Sequence, residues 1–190
     1  MSWKTLVCVL VAIVRASIAL LAADRIDPPA VPAGLEVPGA FQPFMKAHAI
    51  GTQNYICAPA PASSGFDWLF IGPQAALFDD EFSQGLTHFQ SKNSVQDAIQ
   101  ATWQHSRDSS VVWAVKHSGA TVAPNAIEWL LLDVTRAEPG PAGGDKLART
   151  AYIQRVNTVG GLKPPSADCG PSTLNTRRLV SYEADYYFYR

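Results

Sequence analysis

The chain has 190 residues, 15 Lys and Arg against 16 Asp and Glu, and a formal charge of −1. With neither a basic balance nor a Lys/Arg stripe, nucleic acid is not the expected partner, and the lone basic pair Arg177-Arg178 reads as a solvated loop. The length suits one domain and needs no disulfide-rich miniature scaffold.

At the N-terminus Lys4 supplies positive charge, Leu6 to Val14 form a short apolar run, and small residues follow at Ala16, Ser17, Ala19, Ala22 and Ala23. That order is a cleavable signal peptide's, and it assigns residues 1–23 to the signal and the mature protein to a secreted or periplasmic location. The run is interrupted by Arg15 and falls short of the roughly 20 apolar residues of a membrane span, so no stable span is expected after cleavage; a permanent anchor is the alternative. Residues 24–36 form an extended Pro-rich lead-in, since Asp27 to Gly39 holds four prolines and two glycines, and residues 37–190 form the domain.

Short apolar or alternating runs follow in the order Gln53 to Cys57, Trp68 to Ile71, Val111 to His117, Ile127 to Val134, Ala151 to Val156 and Val180 to Tyr189. Runs of this length, rich in Val, Ile, Tyr and Trp and parted by Gly/Pro clusters, predict strands. The expected fold is all-β and mainly antiparallel, a β-sandwich or an open β-barrel with at most one or two short helices. One helix is predicted from Val95 to Gln100, where Ser94 and Asp97 have capping-box spacing, and Gln90 to Ala101 reads as a loop or short helix over the surface. In the last strand Tyr182, Ala184, Tyr186 and Phe188 share the core face; Glu183, Asp185, Tyr187 and Tyr189 share the other, a binding face or an amphipathic exterior.

Of the three cysteines, Cys8 lies in the signal, leaving Cys57 and Cys169. An even pair in an exported chain reads as a disulfide, the alternative being two separate buried thiols.

Several segments together resemble a family of secreted bacterial and fungal proteins classed only as a domain of unknown function: GTQNYIC at 51–57, DWLFIGPQAALFDD at 67–80, THF at 87–89, ATWQHSRDSSVVWA at 101–114, IEWLLLDV at 127–134, YIQRVNTVGG at 152–161 and ADYYFY at 184–189. The likeness spans nearly the whole mature chain. Members usually carry Asp-Gly-Ser where this chain has Asp108-Ser109-Ser110. Some fungal relatives bear the label malate dehydrogenase, but a nicotinamide site needs GxGxxG between a strand and a helix, and the sequence holds none.

GxSxG and HExxH are also absent, no catalytic set is recognisable, and no cofactor or metal is expected. The histidines His48, His88, His105 and His117 are irregularly spaced, and Glu128 and Asp133 fall on opposite faces of a strand, with Glu128 turned outward or paired with a base such as Arg155. The aromatic residues are the stronger lead. The predicted ligand-binding set is Trp68, His88, Trp103, His105 and Asp108, with both histidines and Trp103 on one cleft, Trp68 as a wall and Asp108 orienting a histidine. Gln53 and Asn157 are turn and ladder clamps or polar points in a pocket. The expected function is a non-catalytic exported binding or structural module, with an aromatic-lined cleft for a small molecule or glycan. The alternative is a hydrolase or metal-assisted enzyme using His88 and His105; the residues set no oligomeric state.

Overall fold

The structure is a computed structural model that describes residues 25–60 and 65–190. The signal-peptide assignment therefore lies outside the described residues. Eight strands follow one another: β1 (Pro43–Pro59), β2 (Phe66–Phe78), β3 (Gln84–Asn93), β4 (Ala98–His105), β5 (Val111–Ala120), β6 (Trp129–Glu138), β7 (Tyr152–Gly160) and β8 (Arg177–Tyr189). Each pairs antiparallel with its sequence neighbour, and β8 returns to pair with β1 along Pro43 to Ile56, so the sheet closes into an up-and-down barrel. The all-β expectation holds, and the choice between sandwich and open barrel resolves to closure.

Closing eight strands demands strong curvature, and the ladders supply it at irregularities between Asn54 and Tyr55, between Trp113 and Ala114, and between Val156 and Val159. Asn157, at φ 52, forms the last of these; its amide Nδ2 donates to Asp185 on β8 at 2.8 Å, so it acts as a ladder clamp. Alternation then sorts the side chains. The predicted core face of β8, Tyr182, Ala184, Tyr186 and Phe188, is buried inside the barrel with Ala47, Ala49, Leu77, Leu86, Trp103, Val112 and Ile153.

The other face of β8 is covered in part, with Glu183 left exposed. Tyr187 and Tyr189 are buried on the outside of the barrel with Val156, beneath Ile26 and Val31 of the lead-in and Val37 and Phe41 just before β1, beside Trp129 and Tyr152. Gln154 ties the lead-in down by donating Nε2 to the Leu35 carbonyl at 2.6 Å and accepting from the Tyr189 hydroxyl at its Oε1.

Where a helix and a surface loop were expected, the chain forms the β3–β4 hairpin. Val95 and Ile99 are 72% and 70% exposed, so the segment has no buried apolar stripe to hold a helix against the barrel. Asn93 instead makes the turn: its Oδ1 accepts from the Val95 and Gln96 amides, and Asp97 takes φ 52. The two helical turns among the described residues are single 3-10 turns, Ser166–Asp168 and Pro171–Thr173. They belong to the segment that the disulfide Cys57–Cys169 fastens to the end of β1.

Among the described residues no helix is long and apolar enough to cross a membrane.

Candidate functional site

The ladder pairs His88 on β3 with Trp103 on β4, and both point inward. Their rings stack, with centroids 4.1 Å apart and planes 7° from parallel, and the Tyr186 ring meets each edge-on at 5.5 Å. His88 Nδ1 lies 2.9 Å from the Thr102 carbonyl, which can only accept, so Nδ1 carries the hydrogen and Nε2 keeps its lone pair. Burial is the main force holding this imidazole neutral, with the positive charge of Arg155 acting in the same direction and the Thr102 bond opposing both; together they lower its pKa to about 3.

Beside this stack the barrel is not filled. A cavity of about 280 Å³ is lined from all eight strands, which places it within the barrel. The His88–Trp103 pair, Tyr186, Leu130, Leu132 and the small residues Ala101 and Ala114 make its walls. Gln53, Gln90, Gln100 and Arg155 supply polar groups, and exposed Phe70, Ile99 and Lys116 rim it. Eight strands enclose an interior just large enough for packed side chains or one small ligand. Here alanines face the aromatic rings, and space is left over.

Among the described residues, four buried polar atoms have no partner at hydrogen-bonding distance and angle: Gln53 Nε2, Trp103 Nε1 and the Tyr182 and Tyr186 hydroxyls, the last two being close enough to each other that Tyr186 adds to the upward shift of the Tyr182 pKa. Three of them belong to cavity-lining side chains. An unsatisfied buried donor costs about 1–3 kcal/mol, so such a cluster marks a place where something else completes the bonding. Gln53 is thus a polar point in a pocket. Tyr55 is satisfied, its hydroxyl donating to the Gly161 carbonyl at 2.8 Å.

Of the five predicted site residues, the structure brings His88 and Trp103 together and leaves the other three outside the cavity lining. Trp68 packs with Tyr55, Cys57 and Cys169 and donates Nε1–H to the Pro165 carbonyl at 3.2 Å. It walls the disulfide, not the cleft. His105 closes its own turn: its Nδ1 lies 3.2 Å from the Asp108 amide and 3.0 Å from the Asp108 carboxylate. Asp108 lies against His105, and it chiefly clamps the loop that carries Leu147. Its oxygens accept from the Ser110 amide and hydroxyl and from the Lys146 amide, and Leu147 follows as a fully buried plug in the interior cluster. Gly140 and Gly144 permit this closeness, because a Cβ at Gly140 would lie 1.7 Å from the Asp108 carbonyl oxygen. Partial burial alone would raise the Asp108 pKa, but these donated bonds and His105 outweigh it and bring it down to about 2.

The remaining histidines are dispersed. His48 pairs with Asp185 at 2.8 Å and His117 with Asp133 at 2.9 Å, while Asp79 accepts from the Glu81 and Ser83 amides in a turn. Among the described residues no three His, Cys, Asp or Glu side chains group as metal ligands. Glu128 pairs with Lys116 at 2.6 Å; Arg155 reaches only the Glu128 backbone carbonyl, through Nε at 3.1 Å and Nη2 at 2.9 Å.

In the Asp108-Ser109-Ser110 turn Ser109 adopts φ 60, a left-handed conformation that penalises a side chain. Replacing Ser109 with Gly is expected to stabilise the protein by about 0.5–1 kcal/mol, the relief of that conformation being partly offset by the greater freedom of the unfolded chain. Urea unfolding of the two proteins measures it, and a destabilised Ser109→Gly would show the turn to be unstrained.

A family model described as protein of unknown function (DUF3455) matches residues 38–190. The chain belongs to this family. No curated protein and no solved structure matches it. For this DUF3455 member the barrel cavity is the feature from which function is to be read.

Proposed function

We propose that this DUF3455 protein is an exported, non-catalytic module that binds a small molecule inside its barrel. The observation that carries the reading is the cavity of about 280 Å³ in which the side chains of Gln53 and Trp103 each hold a buried donor without a partner. A flat aromatic floor beside uncommitted hydrogen-bonding groups is the make-up of a ligand site: apolar walls give affinity and a few polar points give orientation. The N-terminal segment and the Cys57–Cys169 bridge support export. The hydrolase alternative lacks its pair, since His88 lines the cavity and His105 turns to Asp108.

Thermal shifts of the purified protein against small carboxylates, amides, sugars and lipids test the reading. A ligand at 100 times its Kd adds about 2.7 kcal/mol, or roughly 5–10 °C for a domain of this size. Ala114 is buried in the wall, so Ala114→Leu is expected to fill the cavity and abolish the shift while the fold is kept. If no compound shifts the wild type, or if Ala114→Leu binds as well as the wild type, the cavity is not the site.

A further inference from the structure

The chemistry around the cavity is one-sided. Arg155 enters it from the inward face of β7, opposite Leu130 on β6 and Tyr186 on β8. Its charge is felt by the interior groups His88, Tyr55 and Tyr182. Yet among the described residues it forms no salt bridge, and two of its nitrogens share a single backbone carbonyl. Among the described residues no Asp or Glu lines the cavity, and Glu128, next to its rim, is engaged by Lys116. The buried atoms without partners add the donors Gln53 Nε2, in a residue 4% exposed, and Trp103 Nε1, in a residue 1% exposed.

A half-buried guanidinium without a counter-charge, set among unsatisfied donors, is a costly arrangement that an anion relieves through charge-assisted hydrogen bonds. The walls ask for the rest of the ligand to be apolar and, against the His88–Trp103 stack, flat. A volume of about 280 Å³ lies just below the range of small-molecule sites, which run from about 300 to 1,000 Å³, and so calls for a small ligand. We propose that the cavity takes a small monocarboxylate with an aromatic or short branched apolar body. Its carboxylate meets Arg155 and Gln53 while its body lies among His88, Trp103, Ala114 and Leu132. This deepens the binding reading above and rests on it.

Matched acid and amide pairs test the assignment: benzoate with benzamide, phenylacetate with phenylacetamide, and isovalerate with isovaleramide, each titrated calorimetrically into the full disulfide-bonded protein. At least one acid is expected to bind tenfold or more tightly than its amide. Arg155→Gln is expected to erase that preference and Arg155→Lys to keep part of it. Inorganic phosphate, an anion without an apolar body, is expected to bind at least tenfold more weakly than the preferred acid. Amides binding as tightly as acids, or phosphate matching the acids, would overturn the carboxylate assignment and leave the cavity reading standing. Should Arg155→Gln fail to give a cooperative melt, the wild-type pairs still decide. If no acid, amide, sugar or lipid binds the wild type, both readings fall together.

Discussion

Lowering the pH from 6.5 to about 4 is expected to remove about 3 kcal/mol of stability through His88 alone. Burial lowers the pKa of this imidazole from its usual 6.5 to about 3 in the folded protein, so below pH 6.5 the unfolded chain takes up a proton that the folded one refuses. Stability from this group is therefore undiminished above pH 6.5, falls as the pH drops through the window, and levels off only near pH 3. Asp108 has the opposite sign of cause and a lower window: its carboxyl is depressed from 3.8 to about 2, and its contribution is lost only as the pH falls below 3.8. The two groups separate cleanly above pH 4. His88→Gln, which cannot titrate, is expected to be less stable at pH 7 because it forfeits the stack with Trp103, and to show a flatter dependence between pH 6.5 and 4. Urea midpoints across that range decide it; equal slopes for wild type and variant would mean that His88 is protonated in the fold and that the interior is wetter than its packing indicates.

Loss of the Cys57–Cys169 bridge is expected to cost about 4 kcal/mol. The bond joins residues 112 positions apart, and the chain-entropy estimate for closing so long a loop is about 4–5 kcal/mol, within the range of about 2–5 kcal/mol found on removing native disulfides from small secreted domains. It also holds the segment carrying the two 3-10 turns against Tyr55, Phe66, Trp68 and Val180, so the damage should begin at that end of the barrel. Cys57→Ala/Cys169→Ala compared with the oxidised wild type in urea gives the difference directly, and reduced wild type provides the same comparison without substitution. A loss below about 1 kcal/mol would mean that the cluster around Trp68 holds the segment by itself.

The parts of this protein that its sequence determined are those governed by local alternation and pairing of types. The Val180–Tyr189 pattern places Tyr182, Ala184, Tyr186 and Phe188 on one face, and the barrel buries that face, because side-chain direction along a strand has period two regardless of partners. The even pair Cys57 and Cys169 is joined for a reason equally independent of geometry: two thiols remain once Cys8 is set aside. The strands β3 and β4 were illegible because Gln84–Asn93 and Ala98–His105 are rich in Gln and interspersed with other polar residues, and only the ladder between them makes extended structure favourable. The site divided along the same line. His88 and Trp103 are legible as a titratable ring and an aromatic surface, whereas their stacking comes from cross-strand register. His105, two residues from Trp103 and on the same face, turns instead to the Asp108 turn that follows β4. Arg155 is the residue that sequence reasoning missed. On a strand reading Tyr-Ile-Gln-Arg-Val an arginine can face either way, and it becomes part of a cavity only because β7 sets Ile153 and Arg155 on the inward face between β6 and β8. Cavity volume itself arises only when the eighth strand meets the first, since it is what remains after side chains from every strand have been brought to one axis.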